Sequence, residues 1–413
     1  MGNSSQRHVV TYHPQQESGP RIKDEEYDQV YVFADDEWYR HGVYKQWYPN
    51  GQIRKLCFHK YGHVVDRCIE WTQDGTLLSV VRKLEQSVNP DGTVDHPMAQ
   101  ELTYHEETGT LRREFVYRLS RMISSDHILG SCVEHRIKWV DGVYREWCPE
   151  GTLLIERNYK VGKFQGMLHG REREWYKGGV PKVEAHYTDG VPDGDRREYY
   201  ENGNKKLVCT LRTVRVPPSY TLTTIRVGPS AEYYETGTPK LECTYDARGR
   251  LKGTYTEYHA TGEVRIVAEY RRDKVVRVLR LHDEVGRDCL LPAGEQIVWK
   301  ACATDPVINK GVGVYVKIMV PQDALRVTPI DTKRNYKSRI SYGVVLAIES
   351  ADGTQYDRAV SFVYTKERLT YVVGERVAVD PDDFDDDPNV ECGAGVNVHR
   401  HRDQCTQWFQ SNR

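Results

Sequence analysis

Apolar and polar residues alternate over short stretches along most of this chain, and one phrase returns many times. An aromatic residue or pair is followed by polar residues and a glycine, and then by a stretch of basic and aliphatic residues. The copies are QWYPNG at 46–51, EWTQDG at 70–75, YHEETG at 104–109, EWCPEG at 146–151, EWYKGG at 174–179, EYYENG at 198–203, EYYETG at 232–237 and EYHATG at 257–262, with a weaker copy ending at Gly286. This self-similarity predicts a repeat architecture.

Each repeat is predicted to be a β-hairpin. The Asn-Gly pairs at 50–51 and 202–203 supply the positive φ of a tight turn, and the flanks are rich in Tyr, Trp, Val and Thr. Glycine spacings of 24 and 25 residues recur, and gaps of 28, 34 and 42 residues indicate loop insertions. Nine hairpins in series give an antiparallel meander of roughly eighteen strands. The predicted turn glycines are Gly51, Gly75, Gly109, Gly151, Gly179, Gly203, Gly237 and Gly262.

The ends of the chain differ from the repeats. Residues 1–28 are polar and predict a flexible arm. After residue 290 the repeat stops, and short apolar stretches near 298–302, 314–321 and 342–348 predict a compact β-rich domain. We therefore predict an all-β protein with a flexible arm over 1–28, an elongated antiparallel meander of β-hairpin repeats over 29–290, and a compact β-rich C-terminal domain over 291–413.

The aromatic composition points to contact surfaces. The chain has 28 Tyr and 8 Trp but 7 Phe, and Tyr and Trp suit half-buried faces because each carries a polar group. The aromatics before the tight turns are predicted to form ladders that bind other proteins. These candidate interface residues are Trp47, Tyr48, Trp71, Trp147, Trp175, Tyr199, Tyr200, Tyr233 and Tyr234.

Charge and cysteine usage narrow the class further. A net charge of -2 gives no global field that favours nucleic acid, so no specific nucleic-acid partner is expected. The ten cysteines include no CxxC pair, and no apolar run is long enough to cross a bilayer. We expect a soluble protein from a reducing compartment, with most cysteines as small buried residues.

Candidate chemistry is sparse. Cys392, His399, His401 and Cys405 are zinc-ligand types, but their gaps of six, one and three residues are not typical of a structural site. We therefore predict that the protein holds no metal and no cofactor. An irregular zinc site at these residues is the alternative. No GxSxG, HExxH or phosphate-binding loop is present. The sequence therefore predicts a protein that is not an enzyme.

Two charged segments are candidate docking surfaces. Six aspartates between 380 and 387 predict a solvated loop that docks a basic partner, with calcium binding as the alternative. Residues 248–287 hold ten Lys or Arg against six Asp or Glu. Within them, Arg271, Arg272 and Lys274 are a candidate anion surface for lipid or phosphate, and edge solubilisation is the other interpretation.

Residues 37–290 resemble MORN repeats, in the variant that reads E-Y-Y-x-N-G and later Y-x-x-G-x-x-x-G. The C-terminal segment resembles an uncharacterised domain on repeat proteins of amoeba-infecting giant DNA viruses, of the marseillevirus-like group. That resemblance rests on WKAC at 299–302, IMVP at 318–321, YVVG at 371–374, FDDD at 384–387 and CGAGV at 392–396. The first resemblance implies scaffolding, dimerisation or lipid binding without a fixed residue set, and the second implies a viral setting.

These observations together predict a structural role. We expect a minor capsid or other virion component that binds coat proteins through its repeats and is found in the virion, and in host cytoplasm during assembly. A homodimer and an anionic membrane lipid are the further partners that the sequence allows. The alternatives are an intracellular regulator that sequesters a protein, and a lipid-binding adaptor at the virion membrane.

Overall fold

The computed structural model describes residues 5–14, 21–32, 36–84, 98–123, 134–162, 166–216, 221–304, 311–330, 335–362 and 369–410. The strands form one sheet of 19 strands and a second sheet of nine. The chain divides into two compact units, Met1–Asn204 with Leu211–Thr224, and Lys205–Thr210 with Ile225–Arg413. The all-β class and the antiparallel hairpin meander predicted from the sequence are confirmed.

In the first unit each strand pairs antiparallel with the next along the chain, from β1–β2 to β12–β13. The strands are β1 (Gln6–Tyr12), β2 (Lys23–Val32), β3 (Glu37–Trp47), β4 (Ile53–Lys60), β5 (His63–Trp71), β6 (Leu77–Lys83), β7 (Met98–Tyr104), β8 (Leu111–Ile123), β9 (Glu134–Trp147), β10 (Leu153–Val161), β11 (Gly166–Trp175), β12 (Pro181–Thr188) and β13 (Val191–Tyr199). Two further strands, β14 (Lys205–Val216) and β15 (Thr221–Tyr233), hold residues of both units.

The tight turns have the geometry that the repeated phrase predicts. In the first turn, Tyr48 N donates to Gln52 O at 2.8 Å and Gly51 N donates to Tyr48 O at 2.9 Å. All eight predicted turn glycines have φ between 66° and 92°, a region that side chains disfavour. The weaker copy forms the same turn, since Gly286 N donates to Asp283 O at 3.0 Å. Glycine therefore recurs because the backbone needs a left-handed residue at this point.

Successive repeats are also joined by side chains. The Tyr48 hydroxyl donates to Trp71 O at 2.9 Å. The second residue of the aromatic pair in one repeat thus bonds the backbone of the first aromatic residue in the next repeat. Tyr176 makes the same bond to Tyr199 O at 3.0 Å. His105 Nε2 lies 3.0 Å from the Trp147 carbonyl oxygen. In these repeats the second residue of the pair thus bonds the strand end that precedes the next turn.

The N-terminal segment differs from the flexible arm that the sequence predicts. β1 pairs with β2, with Gln6 opposite Val30, and the Arg7 guanidinium lies 4.3 Å from the centroid of the Trp38 ring. The prediction relied on the polar composition of residues 1–28. Cross-strand pairs such as Arg7 Nε to Gln29 Oε1 at 2.7 Å stabilise a polar strand that composition alone does not reveal.

The cysteines differ from expectation at one position. Cys57 and Cys68 are joined by a disulfide, because they face each other directly on β4 and β5 with Cα atoms 4.2 Å apart. The other described cysteines carry thiols, and all but Cys392 are buried, as expected. They are Cys148, Cys209, Cys243, Cys289, Cys302, Cys392 and Cys405.

The second unit contains the last repeats and the whole C-terminal domain. Its meander continues through β16 (Pro239–Tyr245), β17 (Leu251–Tyr258), β18 (Val264–Arg271) and β19 (Lys274–Leu281). The second sheet contains β20 (Gln296–Ala303), β21 (Gly313–Val320), β22 (Arg326–Val327), β23 (Lys337–Ile340), β24 (Tyr342–Ser350), β25 (Arg358–Ser361), β26 (Thr370–Val372), β27 (Arg376–Ala378) and β28 (Val396–His399). Short 3-10 turns, Pro381–Asp383 and Arg402–Cys405, and helix α1 (Thr406–Gln410) complete it.

Three clusters of buried residues stabilise the second unit, and the third packs Ala301 and Tyr315 against Cys405. The domain core contains Val316 and Ile318 of β21, Ile348 of β24 and Tyr371 of β26. A smaller core joins the last repeat to the domain by packing Ile266, Leu281 and Cys289 around Tyr336. The boundary that the sequence places at 290/291 therefore separates two kinds of sheet that share one compact unit.

None of the described helices is long and apolar enough to cross a membrane.

Candidate functional site

The tryptophans before the tight turns lie along one edge of the sheet in the first unit. Trp47 ends β3, Trp71 ends β5, Trp147 ends β9 and Trp175 ends β11. Odd-numbered strands of a meander run in the same direction, so these four ends share an edge. All nine candidate interface aromatics are half-buried. The four tryptophans therefore lie at the same edge of the sheet.

The aromatics divide into two groups by their hydrogen bonds. The hydroxyls of Tyr48 and Tyr234 donate to backbone carbonyls of the next repeat, and Tyr199 donates to Glu184 Oε2 at 3.3 Å. Tyr200 and Tyr233 also take part in interactions. The bonds of Tyr48, Tyr234 and Tyr199 stabilise the array itself.

The tryptophans of the turn edge keep their polar group available. Among the described residues, none accepts a hydrogen bond from the indole of Trp47, Trp71, Trp147 or Trp175. Lys23 Nζ lies 5.8 Å from the Trp47 ring centroid, and the Arg173 guanidinium lies 5.5 Å from the Trp175 ring. Each half-exposed indole thus combines apolar surface with an N–H donor, which is interface chemistry.

The candidate anion surface is brought together on one turn. Arg271 ends β18, Lys274 begins β19, and Arg272 lies between them with φ 56°. All three are exposed. Acidic groups lie close by, because Asp273 occupies the same turn. Hydrogen bonds from Asn389 and, to a lesser extent, the Lys274 charge lower the pKa of Asp387. The turn is basic, but its positive charge is partly balanced.

The acidic loop docks onto its own chain. Asn389 Oδ1 accepts from Val275 N at 2.6 Å, and Asn389 Nδ2 donates to Val275 O at 2.9 Å. The buried Arg339 holds the loop from inside, with its guanidinium donating to the carbonyls of Asp385, Asp387 and Val390. The loop is therefore hydrogen-bonded to Val275 and Arg339 of its own chain, and its docking to a basic partner stays a prediction.

The four zinc-type residues do not converge. His401 Nε2 lies 2.9 Å from Asp288 O, and His399 Nε2 accepts from the Trp408 indole at 3.0 Å. Cys405 is fully buried, whereas Cys392 is exposed and accepts from Lys337. Among the described residues, no group of three His, Cys, Asp or Glu side chains is arranged to hold a metal.

Sequence reasoning missed two buried lysines. Lys300 of β20 and Lys337 of β23 are 7% and 5% exposed, and both line a cavity in the C-terminal domain. Lysine is rarely buried without a partner. The signal was present in WKAC at 299–302, where a charge interrupts a stretch that otherwise predicts a buried strand. Only the tertiary structure shows that Lys337 faces the same space.

Two family models match the chain. The MORN repeat variant matches residues 40–61, 168–189, 192–210 and 226–247, and a family of unknown function, DUF5758, matches residues 287–405. The first set of matches lies within the predicted repeats, and the second covers most of the predicted C-terminal domain. A comparison with curated proteins found no match.

The chain is also similar to a solved structure of the Photorhabdus luminescens Tc holotoxin pore. The identity is 11%, and the match covers 97% of this chain and 23% of that one, with a TM-score of 0.15. This chain thus spans less than a quarter of the length of that protein.

Proposed function

We propose that this MORN-repeat protein with a C-terminal DUF5758 domain is a non-enzymatic scaffold, and that it is a minor capsid or other virion component of a giant virus. It binds coat proteins through its repeats, in the virion and in host cytoplasm during assembly. The observation that carries the proposal is the row of Trp47, Trp71, Trp147 and Trp175 on one sheet edge, half-exposed with unused indole donors.

A repeated contact suits a repeated partner. Tryptophan is enriched at the residues that dominate binding energy in protein interfaces. Several weak contacts on one sheet edge bind cooperatively when the partner presents the same surface at regular intervals, as a coat lattice does. The resemblance of the C-terminal domain to giant-virus proteins supports the setting. A second copy of the chain is a further partner, because an open sheet leaves strand edges to cover.

The first prediction concerns virus particles and the tryptophan row. Quantitative mass spectrometry of purified, protease-washed particles is expected to find this protein at a fixed ratio to the major coat protein. In binding assays with that coat protein, Trp147→Ala with Trp175→Ala is expected to weaken binding about 10-fold or more, since each truncation removes an anchor residue.

The control pair is Val43→Ala with Val65→Ala, which changes exposed apolar residues within strands and not at the turn edge. It is expected to leave binding unchanged. If the protein is absent from particles and abundant in infected-cell cytosol, the virion role is wrong and an intracellular regulator that sequesters a protein is favoured. Equal losses in both variants would mean that the tryptophan edge is not the contact.

A lipid-binding adaptor is the second candidate, because Arg271, Arg272 and Lys274 are exposed on a single turn. Vesicles that contain phosphatidylserine are expected to bind the protein in a salt-sensitive way. Replacing all three residues with alanine is expected to weaken binding about 100-fold, at roughly 1 kcal/mol for each charge near the surface. Co-sedimentation with and without phosphatidylserine measures this.

A matched variant makes the same charge change elsewhere, by replacing the exposed residues Lys205, Arg212 and Arg215 with alanine. It is expected to retain vesicle binding. Unchanged binding in the variant of the basic turn would exclude this surface as the lipid site.

A further inference from the structure

A cavity of about 790 Å³ lies within the C-terminal domain. Strands β20, β23 and β28 supply Lys300, Lys337 and Asn397 to its wall, and helix α1 supplies Trp408. This volume is in the range of small-molecule sites, which are mostly apolar with a few convergent polar groups. The residues that line the cavity belong to the C-terminal domain and not to the repeats that carry the proposed scaffold role, so its ligand is a separate question.

Two ammonium groups face this cavity with incomplete hydrogen bonding. Lys300 Nζ donates to Asn397 O at 2.9 Å, and Lys337 Nζ donates to Cys392 Sγ at 3.0 Å. An ammonium group has three donors, and a thiol is a weak acceptor. Both lysines therefore retain N–H groups that a ligand can satisfy, although both side chains are more than nine-tenths buried.

The positive charge of the cavity lies in its buried part. Asp380 and Asp383 also line the cavity, but both are exposed to solvent, whereas Lys300 and Lys337 are buried. Among the described residues, Glu391 is the carboxylate that approaches either ammonium, at 3.8 Å from Lys337 Nζ. Burial and, to a lesser extent, the Lys337 charge lower the pKa of Lys300. Burial and the two lysine charges lower the pKa of His399 to about 3, so this ring is neutral. Buried like charges are costly, and a bound anion relieves that cost.

The rest of the wall suits an apolar group with a hydrogen-bond donor. Phe362, Leu369 and Val379 line the cavity together with Trp408, whose ring is fixed by its indole bond to His399 Nε2 at 3.0 Å. Asn397 Oδ1 is buried and has no hydrogen-bond partner among the described residues. A buried acceptor without a donor is uncommon and indicates a missing group.

We propose that this cavity binds a small soluble phosphate monoester with an apolar or aromatic body. The phosphate lies on Lys300 and Lys337, the body packs against Trp408 and Phe362, and a ligand hydroxyl donates to Asn397 Oδ1. A phosphate dianion matches two ammonium groups, whereas a carboxylate balances one, and lysine binds phosphate as a point charge. Burial of the lysines strengthens each of these contacts because the surroundings screen charge weakly.

Calorimetry on the full-length protein tests the proposal with phenyl phosphate, inorganic phosphate and phenol at constant ionic strength. Phenyl phosphate is expected to bind most tightly, because it uses both the lysines and the apolar wall. Lys300→Met is expected to weaken its binding about 10-fold or more, since a hydrogen bond to a charged group is lost. Lys317→Met is the control, because Lys317 lies on the adjacent strand β21 and does not line the cavity. This variant is expected to bind phenyl phosphate as tightly as the wild-type protein.

A second measurement uses the wild-type chain and does not depend on the folding of a variant. Cys392 lines the cavity and is exposed, so an alkylating reagent can modify it. Phenyl phosphate is expected to slow that modification, as followed by peptide mass spectrometry. The proposal is overturned if phenyl phosphate neither binds nor protects Cys392, or if phenol binds as tightly. Equal binding of inorganic phosphate would remove the apolar body from the assignment.

Discussion

Replacing Arg339 with methionine is expected to destabilise the C-terminal domain by about 3–5 kcal/mol. The side chain is fully buried, and its guanidinium donates to the carbonyl oxygens of Asp385, Asp387 and Val390. Its Nη2 also lies 3.7 Å from a carboxylate oxygen of Asp385. Methionine fills much of the volume but leaves these acceptors without donors, and each unsatisfied buried group costs about 1–3 kcal/mol.

Hydrogen exchange followed by mass spectrometry measures this change, because peptides from β20, β21 and β24 report the opening of this domain separately from the repeats. Arg358→Met is the control, since Arg358 is exposed on β25 of the same sheet. Its effect is expected to stay within about 0.5 kcal/mol. If Arg339→Met lowers the free energy of unfolding of the domain by less than about 1 kcal/mol, the acidic loop after residue 380 keeps its shape without the guanidinium.

The same variant also probes the end of the repeat array. Asn389 follows the loop that Arg339 holds, and it bonds the backbone of Val275 in β19. Loosening the loop is therefore expected to speed amide exchange in β19. An uncovered strand edge promotes association between chains, so the variant is also expected to aggregate more readily than the control.

Ile318→Ala is expected to lower the free energy of unfolding of the C-terminal domain by about 2–5 kcal/mol, and Ile318→Val by about 0.5–1.5 kcal/mol. Ile318 is fully buried in β21 and lies opposite Val345 of β24. The absence of a side chain at Gly343 lets Ile318 pack close to that backbone. Truncation leaves a cavity between two paired strands, and the surrounding core can close it only in part.

Comparing Ile318→Ala with Ile318→Val shows whether lost packing causes the destabilisation. If it does, removing one methyl group is expected to cost less than removing most of the side chain. Leu346→Ala on β24 serves as the control, since that side chain is 43% exposed. Urea denaturation of each variant, monitored by hydrogen exchange in the domain, gives the free energies of unfolding. Equal effects of the alanine and valine variants would mean that the cost does not come from lost volume.

Much of the repeat array followed from local chemistry. The turn glycines were predictable because Gly51 and its equivalents need a positive φ that side chains disfavour. The role of the tyrosine that follows the first aromatic in some repeats was not predictable. Tyr48 and Tyr234 looked like interface residues, yet their hydroxyls bond the next repeat across 23 and 24 residues of chain. A contact of that range depends on the register between hairpins and not on neighbouring residues.

The flexible arm and the cysteines show a related difference. Residues 6–12 look polar in isolation, but pairing with β2 gives their backbone and side chains partners. Likewise, ten single cysteines without a CxxC pair indicate thiols. Cys57 and Cys68 are bonded because antiparallel pairing places them opposite each other.

The sequence by itself determined the all-β class, the hairpin meander and the existence of a distinct C-terminal domain. Alternation of polarity and turn chemistry act over a few residues, so they can be read along the chain. The tertiary structure alone decided where buried charge is placed. Lys300, Lys337 and Arg339 lie inside because β20, β23 and the loop after residue 380 meet there. Burial depends on which distant segments surround a side chain, and no local pattern contains that information.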